Sequence, residues 1–251
     1  MTPTREMPKA YTSLDEDHSA ALLTNWIEAR DPFAFIRYGD GYLEAMAGKR
    51  GMTCDREGYT ENLGKAVRRA WDTFNLEIPT LFVGDWLASS FSGPDDPSIY
   101  EEQFRELVGP WASSISFLHP ECLLLHRESQ ALLDFYRAVR NDPRKKVYLG
   151  PGENYPAAKM LGATFIGTPM RVDLLNHVPR MVQDLEETSF DVLLWGAGMA
   201  GTVAVSALAK RFPDRTYINL GSALDPLFRG RSRKGQLLPE RARGFFAEFL
   251  K

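Results

Sequence analysis

Short uninterrupted apolar runs alternate along this chain with longer stretches whose apolar residues recur every three or four positions. The first rhythm is that of a strand buried on both faces, the second that of an amphipathic helix. Leu22, Leu23, Trp26 and Ile27 form a helical face, and Ser13-Leu14-Asp15-Glu16 ahead of it has capping-box spacing. A strand is expected at 33–38. Thr60 is placed to cap a helix through Phe74, with Leu63, Val67, Ala70 and Trp71 inward, and a strand follows at 80–83. Ser98-Ile99-Tyr100-Glu101 repeats the capping box before a helix ending near Gly109-Pro110, and a strand is expected at 114–118. The pattern continues with a helix at 129–140, a strand at 146–149, a glycine and proline turn at 150–156 and a strand at 163–166. It closes with a helix across 174–187, a strand at 191–195, a further helix and a last strand at 216–220. Strands separated by helices predict an α/β fold: a single Rossmann-like domain over 31–251, mostly parallel, helices on both faces, after an amino-terminal helical segment at 1–30.

Composition narrows this picture. A chain of 251 residues that is 44% hydrophobic can bury one large core. A net charge of -3 gives no global attraction to nucleic acid or an anionic membrane. Cys54 and Cys122 lack CxxC spacing and are too few for a disulfide framework, which points to a reducing, cytoplasmic setting. Residues 1–17 are polar and charged with no apolar core, so a standard secretion signal is not expected. Residues 192–209 carry no charge and imitate a membrane span, yet Gly196, Gly198 and Gly201 interrupt them. A strand, a tight turn and a buried helix are expected there instead.

Candidate chemistry gathers where strands end. In an open parallel sheet, ligands collect outside the carboxyl ends of the strands. Here those ends carry Gly39-Asp40-Gly41, Gly84-Asp85, Gly150-Pro151-Gly152, Gly196-Ala197-Gly198 and Gly221. Asp40 stands between two glycines after the run Phe35-Ile36-Arg37-Tyr38, a place where a carboxylate can meet a cation or a phosphorylated ligand. Gly196-Ala197-Gly198-Met199-Ala200-Gly201 is formally GxGxxG between a strand and a helix. Two features oppose a nicotinamide dehydrogenase: the next strand ends in Asn219 rather than an acid, and too little chain follows for the rest of a dinucleotide-binding domain. A nucleotide or phosphate turn and a purely structural close packing of helix on strand both remain open.

The order of segments resembles the bacterial glycosyltransferases of the GT-D fold type. It begins with Arg37-Tyr38-Gly39-Asp40-Gly41 and passes through Phe82-Val83-Gly84, Leu123-Leu124-Leu125-His126 and Val147-Tyr148-Leu149-Gly150-Pro151. Asp191-Val192-Leu193-Leu194 with its glycine turn, Ile218-Asn219-Leu220-Gly221 and Leu224-Asp225 complete it. The resemblance implies transfer of a sugar from a nucleotide-diphosphate donor, with a divalent cation, Mn²⁺ or Mg²⁺, at an Asp-x-Glu motif in the first glycine turn. Asp40 matches that motif, but Tyr42 stands where the Glu is expected. A neutral phenol is a poor ligand for such cations, whereas Glu44 shares a face with Asp40 if the chain is helical there.

On this reading the metal residues are Asp40 and Glu44; the alternatives are that Asp40 holds the metal alone with the donor phosphates, or that no metal is used. Arg37, Gly39, Gly41, Gly150, Gly196, Gly198, Gly201, Arg231 and Arg233 are the donor-binding set, the last two from the basic run at 229–234. Asp85, Glu153 and Asp225 stand at strand ends as candidate bases, and Asp225 joins Asp40 and Glu44 in the catalytic set. His119 and His126 flank an apolar run and read as hydrogen-bonded core residues. The expected acceptor is a glycan, a lipid-linked or a protein hydroxyl. The basic run alone supports a nucleic-acid acceptor, and the missing second acid supports a catalytically silent nucleotide-sugar binding module.

Overall fold

The computed structural model describes residues 15–49, 51, 58–84, 104, 106–111, 115–125, 129–169, 174–229, 237 and 240–250. Seven strands, β1 (Ala34–Arg37), β2 (Leu81–Gly84), β3 (Ile115–Leu118), β4 (Lys146–Pro151), β5 (Thr164–Thr168), β6 (Val192–Trp195) and β7 (Thr216–Asn219), form one sheet. Their order is β3-β2-β1-β7-β6-β4-β5, and every pairing is parallel. All seven carboxyl ends therefore open on one edge.

The helices are α1 (Glu16–Ala29), α2 (Asp40–Met46), α3 (Glu61–Glu77), α4 (Gln130–Asn141), α5 (Tyr155–Met160), α6 (Val178–Glu187), α7 (Gly198–Arg211), α8 (Asp225–Arg229) and α9 (Glu240–Leu250). They cover both faces of the sheet, and the alternation of side chains along each strand decides which core a residue joins. In β1, Ala34 and Ile36 enter one core with Leu63, Val67, Trp71 and Phe74 of α3 and Ala204, Val205 and Leu208 of α7. Phe35, and Phe33 just before the strand, enter the other, with Leu23 and Ile27 of α1, Leu132, Phe135 and Tyr136 of α4 and Phe246 of α9. Every residue of β2, β4, β6 and β7 is buried, as strands covered on both faces require.

The cap expected at Thr60 is present, and Ser129 caps the helix expected from 129. Thr60 accepts from Leu63 N–H at 3.1 Å, and Ser129 accepts from Leu132 N–H at 3.2 Å. At α1 the capping side chain is Asp15, which accepts from His18 N–H at 2.8 Å. The second capping box, at 98–101, lies outside the described residues. The uncharged segment resolves into β6, a glycine turn and α7, and among the described residues no helix is long and apolar enough to cross a membrane.

Candidate active site

β1 delivers Arg37 to the carboxyl edge on the α1 and α4 side of the sheet, beside β7. Its Nη1 donates to the carbonyl of Leu220 at 3.2 Å, while its Nε is enclosed and has no partner among the described residues. Burial pulls the guanidinium's pKa down from its ordinary value, yet arginine stays protonated in proteins. The thiol of Cys122 below it is pushed up to about 12 by burial, so it is a neutral neighbour rather than a counter-ion. Arg37 as a whole is part-buried, and the charge of the Glu121 carboxylate opposes the downward shift; burying the Nε end is costly unless an anion compensates it.

Immediately after Arg37 the chain turns into α2. Gly39 is its extended cap, with φ -80° and ψ 179°, and no side chain caps the helix. Asp40 is the first helical residue and Glu44 follows one turn later, so the helical condition for placing both on one face is met. The Asp40 side chain lies outside the described set; Glu44 is half-buried. Among the described residues, no three His, Cys, Asp or Glu side chains gather as a metal site. Two carboxylates one turn apart suit Mg²⁺ or Mn²⁺ of the kind held chiefly by substrate phosphates and water.

Tyr42 is accounted for by packing. Thr202 Oγ1 donates to the carbonyl of Gly198 at 3.3 Å and accepts from Trp195 Nε1 at 3.1 Å. The hydroxyl of Tyr42, 2.9 Å away, supplies the second proton that Thr202 Oγ1 can accept. The Tyr42 ring also lies 4.9 Å from that of the buried Tyr38. Tyr42 thus ties α2 to the first turns of α7. Tyr42→Phe should lose about 1 kcal/mol, a fall of about 2–4 °C in melting temperature for a chain of this size, with any Mn²⁺ dependence of ligand binding unchanged. A variant as stable as the parent that has lost Mn²⁺-dependent binding would instead put the phenol in the ligand site.

The GxGxxG turn is built for close contact. A Cβ at Gly196 would stand 2.8 Å from the Gly221 carbonyl and 2.9 Å from both Asn154 Nδ2 and Tyr148 Oη. At Gly201 a Cβ would meet that of Ala197 at 2.5 Å. Gly198 takes φ +62°, a conformation glycine adopts without strain. The N–H of Gly196 donates to Leu149 O at 2.9 Å and that of Gly201 to Ala197 O at 3.1 Å, so both amides are spent inside the protein.

Next to this turn lies a small buried polar group that sequence reasoning missed. Asn154 Nδ2 donates to Tyr148 Oη at 3.1 Å, and both side chains crowd Gly150, whose Cβ would be 2.9 Å from the Tyr148 ring and 3.0 Å from Asn154 Nδ2. A tyrosine inside a wholly buried strand needs a hydroxyl partner, which was the available signal for this pair. Burial pushes the Tyr148 phenol up, the hydrogen bond from Asn154 opposes this, and Asp225, only 3% exposed at the start of α8, lies close enough to add a smaller upward push. The edge thus brings together Arg37, Gly150, Gly196, Gly221, Tyr148, Asn154 and Asp225. Glu153 stands half-buried beside Asn154. His119 is half-buried, its Nδ1 accepting from Glu121 N–H at 3.2 Å, and burial lowers its pKa. Asp85, His126, Arg231 and Arg233 lie outside the described residues.

Two solved structures share this architecture. One is described as "Selenomethionine substituted structure of domain of unknown function 1792 (DUF1792)", with TM-score 0.50, 13% identity and 86% of each chain covered. The other is described as "The highly conserved domain of unknown function 1792 has a distinct glycosyltransferase fold", with TM-score 0.51, 13% identity and the same 86% coverage of both chains. The chain has that glycosyltransferase fold. The GT-D resemblance read from the order of segments agrees with it. No family profile and no curated protein matches the sequence.

Proposed function

We propose that this chain is a glycosyltransferase that moves a sugar from a nucleotide-diphosphate donor to an acceptor hydroxyl at the carboxyl edge beside β1 and β7. Arg37 carries the reading, as a part-buried guanidinium whose enclosed Nε has no partner among the described residues, on a fold whose solved neighbour is described as a glycosyltransferase fold. In the transfer, the bond from the anomeric carbon to the diphosphate oxygen breaks and its electron pair stays on the diphosphate. The acceptor oxygen bonds that carbon and gives up its proton. Arg37 is assigned to the diphosphate, because charge developing on the leaving group needs fixed positive charge. Asp225 is the proposed proton acceptor. Asp40, with Glu44 one turn later, would hold Mn²⁺ or Mg²⁺, which when bound adds positive charge beside the diphosphate oxygens. Arg231 and Arg233 are proposed as further diphosphate contacts, the acceptor as a glycan, lipid-linked or protein hydroxyl, and the setting as cytoplasmic.

A thermal-shift screen of nucleoside diphosphates and nucleotide sugars, with and without Mn²⁺, tests this. A ligand at about 100 times its dissociation constant adds about 2.7 kcal/mol, or about 5–10 °C in a chain of this size. Arg37→Lys should shrink that shift, since an ammonium does not reproduce the fork a guanidinium offers to phosphate oxygens. A shift without release of nucleoside diphosphate from the donor would favour the catalytically silent binding module, the reading favoured by the engagement of Tyr42 with Thr202. No shift with any nucleotide would end both.

A further inference from the structure

Most large apolar side chains among the described residues are buried, but Tyr155 is 57% exposed. It follows Asn154 directly, at the start of α5, on the same carboxyl edge as the candidate active site. Its position is fixed by an aromatic series. The Tyr155 and Phe165 rings meet edge to face, centroids 5.7 Å apart at 81°. Phe165, half-buried on the edge strand β5, stacks on Tyr148 with centroids 6.4 Å apart at 30°. Tyr148 is buried and held by Asn154. The series therefore runs from the polar group under Gly196 out to solvent and holds one amphipathic ring ready for contact, with little conformational entropy left to lose.

The strand order decides what such a ring can reach. From β1, which carries Arg37, the sheet passes through β7 and β6 to β4 and then β5. The Arg37 guanidinium reaches past β1 to the Leu220 carbonyl at the end of β7, so at about 4.8 Å per strand the platform on β4 and β5 lies about 10–14 Å from the proposed diphosphate anchor. A donor's nucleobase sits one ribose away from its diphosphate, short of that distance, whereas an acceptor chain of two or three sugar rings extended from the reacting carbon spans it. The carbon–hydrogen face of a pyranose stacks on an aromatic ring while its hydroxyls stay hydrated, which suits a half-exposed tyrosine.

We propose that Tyr155, backed by Phe165, is a distal acceptor subsite that stacks a sugar ring of an oligosaccharide, two or three units back from the acceptor hydroxyl. The proposal rests on the transferase reading, which supplies the anchor at Arg37.

The test compares the parent, Tyr155→Phe and Tyr155→Ala on a broad array of di- to hexasaccharides, with parallel calorimetric titrations of nucleoside diphosphates. The parent should retain an oligosaccharide of at least three rings, Tyr155→Phe should retain it too, and Tyr155→Ala should bind it about tenfold more weakly. Nucleoside diphosphate binding should be equal in all three proteins, with Tyr155→Ala melting at most a few degrees lower for the lost contact with Phe165. Glycan binding that ignores Tyr155→Ala, an array with nothing retained, or weakened nucleotide binding in Tyr155→Ala would each overturn the subsite, the last by assigning the ring to the donor's base. Glycan binding that depends on Tyr155 without any nucleotide binding would keep the subsite and remove the transferase.

Discussion

Asp40→Asn is expected to lower donor turnover by about 100-fold or more while leaving the fold in place, because losing a group that stabilises transition-state charge typically has that effect. The change keeps the side chain's shape and removes only its charge. Asp40 is the first residue of α2, where an acid near the helix start adds about 0.3–1 kcal/mol, so a melting point lower by at most a few degrees is the structural effect. Nucleoside diphosphate release, measured beside a thermal melt, separates the two. Unchanged release would remove Asp40 from the chemistry, and with it the cation.

Gly64→Ala is expected to destabilise the protein by about 1–3 kcal/mol, the usual range for forcing extra atoms into a packed site. A Cβ at Gly64 would stand 2.2 Å from the carbonyl oxygen of Ala45 and 2.9 Å from its carbon. Both are backbone atoms, so no rotamer change relieves the contact and α2 must move away from α3. The gain of about 1 kcal/mol that alanine brings over glycine in a helix opposes this but is smaller. Since α2 carries Asp40, the shift should also weaken donor use. Gly244→Ala in α9, with nothing within 4 Å of its Cβ among the described residues, is the control and should leave stability equal or higher in a denaturant titration. Equal stability for both variants would mean that α2 is not seated on α3 as described.

What the sequence made legible follows the strength of each local signal. α3 and α4 combine a strong amphipathic period with an N-cap, Thr60 as expected and Ser129 at the expected helix start. At α1 both Ser13 and Asp15 are good cap residues, and periodicity does not place a helix start to within a turn. The helix expected across 174–187 divides into a 3-10 turn, Leu174–His177, and α6, with Pro179 in the first turn where its missing N–H costs nothing. α5 and α8, of 6 and 5 residues, are too short to show a period. Strand order was hidden for a different reason: β7 lies beside β1 although far from it in sequence, and no local pattern encodes that pairing.

The site divides the same way. Arg37, Gly150 and Gly196 stand out as strand-end residues, and the structure gathers them at one edge. Asn154 and Tyr148 meet Gly196 only because β4 pairs with β6, and an Asn in a glycine and proline turn otherwise looks ordinary. Of the two readings left open for the GxGxxG turn, the contacts at Gly196 and Gly201 are those of close packing, which leaves Arg37 as the stronger anion contact. Tyr42 was read as a departure from a metal motif; its hydroxyl belongs to the Thr202 junction.

The most direct test is a crystal structure with a nucleoside diphosphate and Mn²⁺ bound. The account predicts phosphate oxygens within hydrogen-bond distance, about 3 Å, of the Arg37 guanidinium, at the edge shared by β1 and β7. A second location is available: an open cavity of about 470 Å³ between α1 and α4, lined in part by Arg30, Arg137 and Asn141. Phosphates bound there, or anywhere away from Arg37, would contradict the account.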